Sequence, residues 1–170
     1  MREKVEDYED NKVDVRKEDR TIRDFEITAQ EDLPTEVLNL TSYKVIIDHQ
    51  PKDVSCKLSL KRGEHLQIVG PNGIGKTTLL ESLASGHAEG EQVAAGVKIG
   101  YYRQDFSNLD FDQTVGDCLL NEMGRKIDQD MRKVAAGFLL DKDIIKTKIG
   151  SLSEGQKGLV AFARLVLMQP

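Results

Sequence analysis

Short apolar runs, separated by polar or glycine- and proline-bearing turns, fill the chain between Leu33 and Gly70. They read EVLNL, YKVIID, CKLSL and HLQIVG, and runs of this length and spacing predict several β-strands. A further strand is predicted at residues 96–104, GVKIGYYRQ. Between them, KTTLLESLASG at residues 76–86 predicts a helix that stops at Gly86.

The second half of the chain has helical spacing instead. Apolar residues spaced i, i+3, i+4, i+7 and i+8 predict a one-sided helix in DQDMRKVAAGFLL, and they are Met131, Val134, Ala135, Phe138 and Leu139. Residues 156–168 are apolar nearly all round, which predicts a buried helix. Together these patterns predict an α/β chain.

Charge divides the chain near residue 32. Residues 1–32 hold 12 acidic and 7 basic residues with few apolar anchors, which predicts a solvated charged helix or linker segment. We expect one domain at residues 33–170, because 170 residues with 39% hydrophobic content can bury one sizeable core. The net charge of -5 gives no support for a nucleic-acid surface.

Cysteine usage and hydropathy point to a cytoplasmic protein. Cys56 and Cys118 have no metal-ligand spacing to each other or to a histidine, so we expect two reduced thiols. No apolar run is long enough for a membrane span, and the N-terminus lacks the apolar core of a signal peptide. We therefore expect no direct membrane insertion.

The strongest chemical signal is GPNGIGKTT at residues 70–78, which fits G-x-x-x-x-G-K-[ST] between a predicted strand and a predicted helix. Glycines let successive N–H groups point at phosphate oxygens, and the helix start adds a positive end. Lys76 can reach the β and γ phosphates, and the Thr77 hydroxyl can hold Mg²⁺. The alternative is a glycine-rich turn with no ligand. The predicted phosphate-binding residues are Asn72, Gly73, Ile74, Gly75, Lys76, Thr77 and Thr78.

With GYYRQDF around Gln104 and LSEGQKGLVAFARLVLMQP at residues 152–170, the chain from about Leu33 onward resembles an ATP-binding cassette (ABC) nucleotide-binding domain. The pieces come in the family's order: an aromatic (Tyr43), the phosphate loop, a glutamine loop and the signature Leu152–Gln156. The resemblance implies a P-loop NTPase of ABC type. Its expected parts are an antiparallel β region, part of a parallel core, and a helical subdomain at about 105–150.

The same resemblance implies a role for each matching residue. Tyr43 would stack on adenine, although a packed strand tyrosine is the alternative. Gln104 would contact Mg²⁺ and the attacking water, the alternative being a polar turn residue. Ser153, Gly155 and Gln156 would face the γ phosphate of ATP held by a second cassette, in the same chain or a dimer; Ser153 and Gln156 also fit a helix cap. Glu154 departs from the family's glycine.

Within the class, the signature stretch looks like the ABC-F group, whose members join two cassettes by a charged linker and act at the ribosome. That resemblance implies an ATP hydrolase working with Mg²⁺ in translation, with ribosomal or transfer RNA as further partners. Two alternatives stay open: the ATPase subunit of a membrane transporter, and a nonhydrolytic ATP-gated interaction module.

The family's Walker B aspartate, general-base glutamate and switch histidine all follow the signature helix, and no residue here matches them. His49, His65 and His87 precede Gln104, so by their order none is the switch residue. We therefore expect a cassette that is incomplete on its C-terminal side. These 170 residues alone should be inactive, with no catalytic residue, although a longer parent would hydrolyse ATP.

Overall fold

The structure is a computed structural model that describes residues 21–86 and 89–170. Residues 1–20 of the predicted charged segment and His87 lie outside the described residues. The α/β class is confirmed: strands dominate up to residue 93, and helices dominate after residue 114.

A long β-hairpin forms the first half of the described chain. Strand β1 (Glu36–Ile47) pairs antiparallel with β2 (Gln50–Lys61). Asp48 and His49 make the turn with positive φ of 53° and 61°, the backbone that a tight hairpin turn requires. The runs EVLNL and YKVIID form one strand because a register shift between Leu40 and Ser42 absorbs the break in their alternation.

A short strand completes the sheet. Strand β3 (Glu91–Val93) pairs antiparallel with the other edge of β1, which gives the order β2-β1-β3. The strands predicted at HLQIVG and at residues 96–104 are not formed within the described part of the chain, and that prediction was wrong there. An apolar run favours extended backbone, but a strand also needs a neighbouring backbone for its hydrogen bonds, and none pairs with either run in residues 21–86 and 89–170.

One of these two runs has a side-chain partner instead. The Gln30 amide donates from Nε2 to the Gly96 carbonyl at 3.0 Å, and the Lys98 N–H donates to Gln30 Oε1 at 2.8 Å. A single carboxamide thus satisfies one acceptor and one donor of the segment that the sequence predicts as a strand.

Five α-helices form in the described residues, and three of them lie where the sequence predicts a helix. Helix α1 spans Lys76–Ser85 and ends at Gly86, as predicted. Helices α2 (Val115–Asn121), α3 (Asp128–Gly137) and α4 (Lys142–Lys146) and a 3-10 turn (Ile149–Ser151) lie in the range predicted for a helical subdomain, and α5 spans Glu154–Met168. None of the helices in the described residues is long and apolar enough to cross a membrane.

The hydrophobic core lies between α2, α3, α4 and α5. Its largest fully buried side chains are Val115, Leu119, Met131, Leu140, Ile149 and Val160. Of the residues predicted to form the apolar face of α3, Met131, Ala135 and Phe138 are buried, and Val134 and Leu139 are half-buried. The prediction that α5 is a buried helix holds only in part: Val160, Ala161 and Ala163 are its buried residues, and Phe162 is 37% exposed.

Both cysteines are free thiols, as predicted. Cys118 is buried on α2, and its burial raises the pKa of the thiol to about 11. Cys56 lies on β2, where its Sγ donates to the Leu40 carbonyl at 3.2 Å. Cys118 is therefore a neutral packing residue near pH 7.

The described end of the charged segment, residues 21–31, runs across the domain. The Arg23 N–H donates to the Gly137 carbonyl at 3.0 Å, and the Phe25 ring lies 4.7 Å from the Phe138 ring and 5.9 Å from the Phe162 ring. At its other end, Arg62, directly after β2, donates to the Glu31 carbonyl at 3.2 Å. We call residues 21–31 the docked segment, because it contacts the helices at one end and the sheet at the other.

Candidate functional site

The loop at residues 70–75 enters α1 through glycines in unusual backbone conformations. Gly73 and Gly75 have φ of 83° and 103°, values that residues other than glycine rarely adopt. Gly75 is the N-cap of α1, and no side chain caps the helix. The first N–H groups of α1 therefore have no side-chain acceptor at the cap, and such N–H groups bind anions at other helix starts.

Lys76 brings a positive charge to the same loop. Its Nζ donates to the carbonyls of Gly70 and Pro71 at 2.8 and 2.9 Å, so the side chain folds back across the loop. The first turn of α1 carries no acidic residue. An ammonium and a helix start without a nearby carboxylate fit the charge of a polyphosphate.

Tyr43 lies beside this loop. It is half-buried on β1 and lines a cavity of about 550 Å³ together with Pro71, Gly75 and Lys76. The Ile46 N–H of β1 donates to the Ile74 carbonyl at 2.9 Å, which fastens the strand to the loop. The structure thus brings the Tyr43 ring close to the phosphate loop, although Tyr43 and Lys76 are 33 positions apart in the sequence.

Thr77 and Gln104 meet at a second cavity. Both residues line a space of about 430 Å³, together with Arg103 and Asp105. A hydroxyl and a carboxamide oxygen are among the ligands that Mg²⁺ accepts. The two residues predicted as metal ligands therefore face a common space, and the oxygen chemistry of this pair fits Mg²⁺ with further ligands from water and phosphate.

A charged cluster that was not predicted from the sequence lies beside Gln104. Arg103 contacts Glu81 of α1 at 2.8 Å and Asp105 at 2.9 Å. The side-chain hydrogen bond from Arg103 is the main cause that lowers the pKa of the Asp105 carboxyl to about 2. Only the position of Arg103 next to Gln104 could have pointed to it, because Glu81 lies on a separate element.

The signature residues form the start of α5. Ser153 Oγ accepts from the Gln156 N–H at 3.3 Å, and the Ser153 N–H donates to Gln156 Oε1 at 3.0 Å, which is a capping box. Gly155 has open space around its Cα. None of these residues lines the cavities that hold Tyr43, Lys76, Thr77 and Gln104 in the described part of the chain.

Glu154 is neutralised within its own helix. Its carboxylate pairs with Lys157 at 2.8 Å, and the Lys157 ammonium also lies 4.9 Å from the centre of the Phe111 ring. The Lys157 side chain is only 12% exposed, so the ammonium is held in place. The negative charge at the start of α5 therefore has a fixed counter-charge.

A phosphate loop, a glutamine loop and a capped signature helix in this order are the parts of an ATP-binding cassette. Residues 54–170 match the model of the family described as ABC transporter. The match covers more than half of the chain, and the chain belongs to this family. Domains of the family bind ATP, generally with Mg²⁺, and the family's members are generally ATPases.

Individual relatives narrow the comparison. The chain is 32% identical over 149 residues, 85% of its length, to YdiF of Bacillus subtilis (strain 168), whose name describes it as an ATP-binding protein. It is 36% identical over 64% of its length to the ABC transporter ATP-binding protein YfmR of the same organism, and 35% identical over 65% to elongation factor 3 of Candida glabrata. The chain spans 23%, 18% and 10% of the lengths of these three relatives.

Proposed function

We propose that this ABC ATP-binding domain holds ATP and Mg²⁺ with the residues around its phosphate loop. The observation that carries the proposal is that Thr77 and Gln104 line one cavity, next to the loop that Lys76 spans. In this arrangement Lys76 contacts the β and γ phosphates, and the backbone N–H groups from Asn72 to Thr78 surround them. When bound, Mg²⁺ neutralises phosphate charge.

The base of the nucleotide has a place in the same proposal. Tyr43 lines the cavity that the phosphate loop closes, and its half-buried ring offers a flat apolar surface for adenine. The phosphate loop and Tyr43 thus bind opposite ends of one nucleotide.

Nucleotide binding and ATP hydrolysis are distinct parts of this proposal. A general base must be free to accept a proton from the attacking water, whereas Asp105, the carboxylate among the described residues that line the Thr77–Gln104 cavity, is engaged by Arg103 at 2.9 Å. We therefore propose that this chain alone binds ATP and does not turn it over. A second cassette, bound through Ser153, Gly155 and Gln156 at the start of α5, completes the site in this proposal.

We further propose that the parent protein is an ABC-F type ATPase that acts at the ribosome in translation. The signature stretch with Lys157 supports this, as does the likeness to a protein named elongation factor 3. The alternative is the ATPase subunit of a membrane transporter, which the likeness to YfmR favours because its name describes a transporter ATP-binding protein.

Titration with a fluorescent ATP analogue tests nucleotide binding. Lys76→Ala removes the phosphate contact and Thr77→Ala the metal contact, each worth about 1.5 to 3 kcal/mol, or roughly 10- to 100-fold in affinity. Lys52→Ala, at an exposed position of β2 away from this cavity, is the control and should bind like the wild type. Unchanged affinity in Lys76→Ala would refute the proposed site.

Co-sedimentation separates the two parent functions. Ribosomes should carry the full-length parent protein down in the presence of ATP, and Lys76→Ala in the parent should reduce the sedimented fraction. If the parent does not follow ribosomes, with or without ATP, the ribosomal proposal is wrong, whereas nucleotide binding is judged by the titration alone.

A further inference from the structure

Arg103 joins the glutamine loop to the helix that follows the phosphate loop. Its guanidinium contacts the Glu81 carboxylate at 2.8 Å and holds Asp105 through Nε at 2.9 Å and Nη2 at 3.0 Å. The side chains of Arg103 and Glu81 are 29% and 35% exposed, so the pair is partly shielded from water. Asp105 also accepts from the Ser107 N–H at 3.2 Å, which closes the loop on itself.

Glu81 stands one helical turn after Thr77 on α1, and residues four apart lie on the same face of a helix. The ion pair therefore fastens the residue directly before Gln104 to the face of α1 that carries Thr77. On the other side of Arg103, the Tyr102 ring stacks on Phe162 of α5 at 4.9 Å. The loop that holds Gln104 is thus fixed to both helices.

We propose that Arg103 is a positioning residue: through its ion pair with Glu81 it sets the separation between Gln104 and Thr77, and with it the Mg²⁺ dependence of nucleotide binding. This inference rests on the proposed function of the same site. Arg103 acts through Gln104 and does not itself hold the nucleotide, because its guanidinium is engaged by two carboxylates.

Nucleotide affinity measured with Mg²⁺ and with EDTA tests the inference. The phosphate loop contacts the nucleotide in both conditions, whereas Gln104 contributes only when Mg²⁺ is present. Arg103→Gln and the isosteric Glu81→Gln should each reduce the gain in affinity due to Mg²⁺ by about three- to tenfold, the effect of one misplaced polar contact. Affinity in EDTA should stay at the wild-type value. Arg132→Gln, which breaks an exposed pair with Asp128 on α3 at 2.6 Å, is the matched control.

The double variant decides whether the two residues act together. If the ion pair carries the effect, Arg103→Gln with Glu81→Gln should lose no more than either single variant. Additive losses, or an unchanged Mg²⁺ gain in Glu81→Gln, would overturn the inference. A fall in the EDTA affinity of Arg103→Gln with Glu81→Gln unaffected would also overturn it, since Arg103 would then contact phosphate directly.

The same titration separates this inference from the proposed function. If the wild-type chain binds nucleotide with no gain from Mg²⁺, both are wrong. If the wild type shows the gain and Thr77→Ala loses it, the proposed site is supported, and the variants at Arg103 and Glu81 then judge the positioning role alone. If Arg103→Gln fails to fold, Glu81→Gln still tests the positioning role.

Discussion

Phe25→Ala should destabilise the domain, although Phe25 belongs to no helix or strand. The ring is 47% exposed and lies 4.7 Å from Phe138, which is 2% exposed. Burying a whole Phe side chain contributes about 1.5 to 3 kcal/mol, so about half of that applies here. The aromatic pair adds about 0.5 to 1.5 kcal/mol. We therefore expect a loss of roughly 1.5 to 3 kcal/mol in the free energy of unfolding.

Urea unfolding followed by circular dichroism measures this loss. With a slope near 1 to 3 kcal/mol per molar urea, the midpoint should fall by roughly 1 M while the slope stays constant. Phe25→Leu separates the two contributions, because leucine keeps most of the apolar area and lacks the ring. It should lose only about 0.5 to 1.5 kcal/mol, the share of the aromatic contact.

If Phe25→Ala unfolds within about 0.5 kcal/mol of the wild type, as an ordinary surface substitution does, the docked segment is not held on the helices. If Phe25→Leu costs as much as Phe25→Ala, the ring contact with Phe138, not the apolar area, accounts for the whole effect.

Two further predictions concern the loop at Arg103 and the start of α5. The Asp105 carboxyl should titrate with a pKa of about 2 in carbon-13 NMR spectra, and in Arg103→Gln this pKa should rise toward 3.8. Because the pKa is lowered in the folded state, the carboxylate stabilises the fold above about pH 4. That stabilisation is lost as the pH falls through about 2. Ser153→Ala removes the α5 cap and should lower the free energy of unfolding by about 1 kcal/mol, whereas Ser59→Ala on the exposed face of β2 should not; equal midpoints in urea would contradict the cap's role.

The helices were predictable because their signals are local. The spacing of Met131, Ala135 and Phe138 depends only on the 3.6-residue turn, and all three are buried as predicted. The helix end at Gly86 and the capping box at Ser153 likewise depend on only a few neighbouring residues. The phosphate loop belongs to this group, because its glycines and Lys76 act within one turn of chain.

The features that sequence reasoning missed all depend on distant partners. The run HLQIVG has strand composition, but its side chains do not say which backbone lies beside it. Glu81 and Arg103 are 22 positions apart on different elements, and no local pattern links them. Phe25 was assigned to a charged linker because acidic residues surround it, and its contact with Phe138 spans more than 100 positions of sequence. Roles in binding for the phosphate-loop residues, Tyr43, Gln104 and the signature residues stay predictions.

The Gln30 amide has a consequence for how this domain meets other molecules. The unpaired N–H and C=O groups along an extended segment attract strands from other chains, and such edges are where β-aggregation begins. At residues 96–98 the Gln30 side chain already occupies one carbonyl and one N–H. A foreign strand must displace this amide before it can pair at either of these two groups, so the docked segment opposes intermolecular pairing at Gly96 and Lys98.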